Sequence, residues 1–189
     1  MSNAQATAQA LLQSNRTLAL FLAKMVAAYA VWFVLYDLWL LPAGRLDEWL
    51  SVHVAAWTAG LMGVFSEAVT ADGRYVWFHQ AGVVIEDGCN GLSALSLFVG
   101  FVLAYPGAWA RRALFIPLGL VVIVAVNVLR CASLLFISAA WPETFASVHG
   151  FHALFVFYVA IFALWVVWTH VGEPAAPDDR TGGTQLSAA

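Results

Sequence analysis

Residues 113–141 read ALFIPLGLVVIVAVNVLRCASLLFISAAW, and this run decides the fold. A membrane-spanning helix needs about 20 mostly apolar residues. Here 29 residues carry one formal charge, that of Arg130. A cation inside such a run is expensive in a bilayer and is by default a mark of function. The bland alternative is a side chain that snorkels to the interface. Asn127 stands three residues earlier, on the same helix face. It either holds Arg130, meets a substrate backbone or hydrogen-bonds a neighbouring helix.

The rest of the chain has the same character. Of its 189 residues, 62% are hydrophobic and 10% charged, against about 25% charged in ordinary soluble domains. The expected class is an all-α integral membrane protein. Its net charge of −3 gives no electrostatic footprint for nucleic acid. Cys89 and Cys131 are the only cysteines. They make no disulfide framework, and neither a C-x-x-C pair nor a zinc-type Cys/His spacing is present. No metal or organic cofactor is expected.

Further spans are read at 17–41, 89–107 and 150–170. The first has no convincing cleavage site and reads as a retained helix. Between the first two, 46–69 shows an apolar stripe of Leu46, Trp49, Leu50, Val54, Trp57, Leu61, Val64 and Phe65 at helical spacing. Residues 73–88 are β-branched, aromatic and interrupted by polar groups, which predicts an extended hairpin-like segment outside the membrane core. The expected architecture is a bundle of about four transmembrane helices plus an amphipathic outer-face helix and that hairpin. Residues 1–171 form a single membrane-embedded domain, and 172–189 a disordered cytoplasmic tail.

Depth can be counted along the helices. Arg111 and Arg112, in the loop AWARR, are the only adjacent basic pair. The positive-inside rule makes that loop cytoplasmic. Cys89 precedes Arg111 by 22 residues, roughly 33 Å of helix, and Arg130 follows Arg112 by 18, about 27 Å. Both distances approach a hydrocarbon core of about 30 Å. Cys89, Arg130 and the start of the last span, with His149, therefore meet at the outer face. If 46–69 also crossed, the basic loop would lie outside, so 46–69 is expected to lie along or dip into the outer face.

Cys89 sits in GCNG at a predicted helix N-terminus, where unpaired N–H groups favour a thiolate or a developing oxyanion. Gly88 and Gly91 permit an unusual turn and a close backbone approach. Glu86 and Asp87 oppose negative charge on the sulfur; their bland role is to help the helix start. Asn90 is a candidate supporting or substrate-binding residue. His149 and His152 are three apart and share a face. Either can serve as the base, and spacing does not choose between them. A lone buried cysteine is more often a small hydrophobe, and a Cys89–Cys131 disulfide is compatible with both lying near the outer face.

Over roughly residues 80–168 the chain resembles the exosortase/archaeosortase family of membrane cysteine transpeptidases, most of all an exosortase H-type branch. GCNGLSAL, AYPGAW, NVLR and FASVHG occur in that family's order. The resemblance implies Cys89, Arg130 and His149 as the catalytic set; Phe145, four residues before His149, favours it over His152. It implies exported substrates with a C-terminal sorting tail made of a short motif, a membrane helix and a basic cluster. Cleavage through a thioester would be followed by transfer to an envelope glycan or lipid acceptor. It also implies a bacterial inner-membrane protein with its active site at the periplasmic face. The competing readings are a membrane thiol-disulfide oxidoreductase using Cys89 and Cys131, and a non-enzymatic membrane scaffold.

Overall fold

The computed structural model describes residues 3–172, with side chains from residue 15 onward except those of 149 and 151–154. The expected tail therefore lies outside the described residues, Gly172 aside.

Helix α1 (Asn3–Leu35) passes into a π turn at Tyr36–Leu40 and the short helix α2 (Leu41–Ala43). Gly44, at φ +66°, stops it in the left-handed conformation that ends many helices. Helix α3 (Arg45–Gly63) follows. Strands β1 (Val69–Asp72), β2 (Tyr75–Phe78) and β3 (Ala81–Val84) then form an antiparallel sheet in the order β1-β2-β3. Its two-residue turns place Gly73 and His79 at φ +56° and +55°, as tight hairpins require. Helix α4 (Leu92–Ala104) ends at Tyr105, which Pro106 holds extended. Helices α5 (Trp109–Ala140) and α6 (Phe145–Val171) complete the chain, joined by a single 3-10 turn.

Two helical stretches are long and apolar enough to cross a membrane, Asn15–Ala43 and Trp109–Ala140. Leu92–Ala104 and Phe155–Val171 are apolar but shorter. The protein is a mostly helical membrane protein, and of the four expected spans these two meet the length on their own.

Several expected boundaries move. The segment 46–69 is a helix only to Gly63, and Val69–Asp72 is a strand, so the extended region is a three-stranded meander. Arg111 and Arg112 lie in the first turn of α5, not in a loop. Helix α6 begins at Phe145, five residues early, and takes the backbone of His149 onto its second turn.

Helix α3 buries only part of its apolar stripe. Leu50 and Val54 of the apolar stripe are buried, together with Asp47, Ser51, Ala55 and Thr58. Trp49, Trp57, Val64 and Phe65 of that stripe are exposed. Small and polar residues let helices approach closely where the surroundings are themselves apolar.

Two apolar clusters divide the molecule. One joins Leu50, Val54 and Ala55 of α3, Val76 and Ile85 from the sheet region, and Leu92, Cys131 and Leu135. The other packs Phe98, Val102, Phe115, Ile123, Ile161 and Trp168 between α4, α5 and α6. Gly119 lies against Phe98 so closely that an added Cβ would stand 2.1 Å from the ring. The site lies at the end of the molecule that holds the first cluster.

Candidate active site

Cys89 stands in a turn three residues before α4, not at its first residue; its N–H donates to Glu86 O at 2.7 Å. Helix α4 starts at Leu92 with Gly91, at φ +90°, as its N-cap. That φ is costly for residues with a Cβ, and a Cβ here would stand 3.1 Å from Asn127 Nδ2. Gly91 thus supplies both the turn and the close approach. Gly88 has neither a positive φ nor a neighbour within 4 Å of a Cβ placed on it.

The turn is held from two sides. From α5, Asn127 Nδ2 donates to Cys89 O at 3.1 Å, and Arg130 Nη1 reaches the same oxygen at 3.4 Å. Arg130 Nη1 also donates to Asn127 Oδ1 at 3.0 Å, so Asn127 both orients Arg130 and links the two helices. Arg130 Nη2 lies 3.6 Å from Cys89 Sγ. Arg130 is 2% exposed, with its guanidinium 5.2 Å from the ring centre of Phe157 and its Nε without a hydrogen-bond partner among the described residues. A cation fixed against the sulfur in a low-dielectric setting stabilises negative charge there.

From α3, buried Asp47 accepts Asn90 Nδ2 at 2.8 Å and Tyr36 Oη at 3.1 Å on its Oδ1. Asn90 in turn accepts Leu92 N–H at 2.9 Å, an Asx turn that starts α4. Asn90 is 1% exposed and lies between Asp47 and the start of α4. Asp47 was not singled out from the sequence. The available signal was an acid at helical spacing from Leu50 and Val54 of the apolar stripe.

Arg74 was also missed. It forms an ion pair with Asp87 and another with Glu48 at 3.5 Å, and donates to Ile85 O and Ser51 Oγ. It ties the hairpin, α3 and the approach to Cys89 together, and it offsets the Asp87 charge. Cys131 is 3% exposed within the first cluster, with Sγ 3.8 Å from Asn127 Oδ1; no disulfide joins it to Cys89.

A cavity of about 240 Å³ opens beside these groups. Cys89, Arg130, Cys131, Glu86 and Phe145 line it, together with the edge of β3. His149 follows Phe145 by one helical turn. The side chains of His149 and His152 lie outside the described residues. His53 and His170 bond backbone carbonyls on their own helices, at Trp49 and Val166.

A membrane-embedded helical protein that joins a cysteine turn to a buried arginine is the class these features define. The family model described as transmembrane exosortase (Exosortase_EpsH) matches residues 6–166. The match covers most of the chain, which belongs to the transmembrane exosortase family. The likeness reaches N-terminally past residue 80 to α1, α3 and the sheet. No curated protein and no solved structure matches the chain.

Proposed function

We propose that this protein is a membrane cysteine transpeptidase that removes the C-terminal sorting tail of exported proteins and transfers them to an envelope glycan or lipid. The observation that carries this reading is Arg130 seated between the carbonyl and the sulfur of Cys89 on a cavity wall. A scaffold gains nothing from a buried guanidinium with an unpartnered Nε, since burying a cation costs free energy unless it is well paired.

In the proposed reaction Cys89 attacks the scissile carbonyl and a C–S bond forms. Arg130 stabilises the oxyanion of the tetrahedral intermediate. The C–N bond then breaks, and the leaving amine takes a proton from His149, which gained it from the thiol. The product is a thioester. An acceptor hydroxyl attacks that thioester, loses its proton to His149 and releases the Cys89 sulfur. Delivery is two-dimensional: a tail anchored in the bilayer arrives already at the depth of the turn.

The Arg111–Arg112 end is proposed as cytoplasmic by the positive-inside rule, which puts Cys89 at the periplasmic face of a bacterial inner membrane. The test is processing of a tail-bearing reporter by the wild type, Cys89→Ala and His149→Ala. Cys89→Ala is expected to abolish processing and His149→Ala to lower it by about 10²-fold or more. Full processing by Cys89→Ala sinks the proposal. A membrane-impermeant maleimide that labels Cys89 only after permeabilisation reverses the orientation.

A further inference from the structure

We infer that the free edge of β3 is the docking template for the substrate: an extended segment next to the scissile bond adds to the sheet as a fourth strand. This rests on the transpeptidase reading for the identity of the occupant, and on the following geometry for the site.

Strand β3 is the last in the sheet. Ile85 N–H donates to Arg74 O at 2.9 Å, and the register pairs Val83 with Val76 and Ala81 with Phe78. In an antiparallel ladder, residues that exchange hydrogen bonds alternate with residues that do not. Ala81, Val83 and Ile85 therefore turn their backbone groups toward β2. Gly82 and Val84 turn theirs outward. Both are exposed, and among the described residues their outward N–H and C=O groups have no hydrogen-bond partner.

That edge forms one wall of the Cys89 cavity, where residues 82–86 run alongside Cys89 and Arg130. Proteins normally blunt such edges with charges, proline or a covering element. The stretch AGVV carries no charge and no proline. Its exposed groups alternate donor and acceptor, a pattern that an extended peptide backbone satisfies and a lipid chain does not. The edge leads through Ile85 and Glu86 to the turn at Cys89, so a chain paired along it brings a carbonyl toward the sulfur.

The test uses the full chain in vesicles with a membrane-anchored reporter that ends in a short segment, an apolar helix and a basic cluster. Val84→Pro deletes one outward N–H at a position where an edge strand tolerates proline. The expected result is a KM for the reporter raised about tenfold, with kcat little changed and Cys89 labelling by a small maleimide intact. Val84→Thr keeps the N–H and is expected to reverse most of the KM rise that Val84→Pro causes. Unchanged KM in Val84→Pro overturns the inference while leaving Cys89 chemistry standing. Should Val84→Pro lose its fold, hydrogen exchange on Cys89→Ala decides. The outward amides of Gly82 and Val84 are expected to become protected when reporter is added, and no protection at them overturns the inference. Protection that rises with protein concentration without reporter means that a second copy covers the edge, which also overturns it. Edge protection by a reporter that the wild type never cleaves supports the docking site and rejects the chemistry.

Discussion

Helix α5 carries two buried arginines 18 residues apart, and they have different work. Arg112 donates from Nε to Val102 O at 3.1 Å and from Nη2 to Tyr105 O at 2.8 Å, and stacks 4.6 Å from the Trp109 ring centre. It closes the C-terminal end of α4, where carbonyls lack helical partners and the dipole favours a cation. Neighbouring Arg111 does the same for α6 through Val171 O. Arg130 binds no helix end. Its donors go to Asn127 and to the carbonyl and sulfur of Cys89, beside a cavity. Burial of an arginine in a membrane helix is thus a weak indicator alone. The direction of its donors separates a helix cap from a group held against the cysteine turn.

Substitution can break that comparison. Arg130→Ala is expected to lower processing by about 10²–10³-fold with the fold retained, the cost of losing one oxyanion-stabilising donor. It should also slow alkylation of Cys89, because the cation beside the sulfur is gone. Arg130→Lys should rescue little, since a point charge cannot reach Asn127, the carbonyl and the sulfur together. Arg112→Ala is expected to do the reverse: to lower thermal stability in detergent, by about 2–4 kcal/mol for two lost charged hydrogen bonds, with activity per folded molecule nearly unchanged. Equal losses of activity from both variants, each still folded, would remove the distinction.

A smaller effect sharpens it. Asp47 is not among the residues that line the cavity, yet it holds Asn90, the residue after Cys89. We expect Asp47→Ala to cut kcat roughly tenfold by loosening the turn, with KM little moved. Asp47→Asn keeps an acceptor oxygen and should recover most of that loss. If Asp47→Ala lowers stability without touching the kcat of the folded fraction, the tether is structural only.

The adjacency of Cys89 and Arg130 was legible in the sequence because it depends on helix rise and charge alone. Counting from Arg111 and Arg112 put Cys89 and Arg130 at one level, and their hydrogen bonds show them there. The contacts that hold the turn were less legible. Asp47, Tyr36 and Arg74 act from 42, 53 and 15 residues before Cys89, and no local periodicity encodes such pairings. The apolar stripe on α3 does not mark its packed face, because patterning rules that send apolar residues inward assume water outside. In a membrane protein large apolar groups serve equally well outside, and Asp47, Ser51 and Thr58 do the packing. Strand β1 was hidden because Val69–Asp72 is short and half polar, and its first residue falls at the end of the segment 46–69.

The least expected effect belongs to the second cysteine, and it separates two chemistries. Cys131 follows Arg130 directly and lines the same cavity, so position alone would make it a redox partner for Cys89. Its packing argues otherwise. The sulfur is buried among Leu50, Val54, Ile85 and Leu135 and lies 3.8 Å from Asn127 Oδ1, the behaviour of a cysteine used as a small hydrophobe. Cys131→Ala removes one sulfur from that cluster and should cost about 1 kcal/mol of stability. Processing of the reporter should stay within about twofold of the wild type, because neither thioester formation nor its transfer needs a second thiol. A thiol-disulfide oxidoreductase needs both cysteines, so Cys131→Ala would abolish it. Loss of processing in a folded Cys131→Ala protein would overturn the single-nucleophile mechanism.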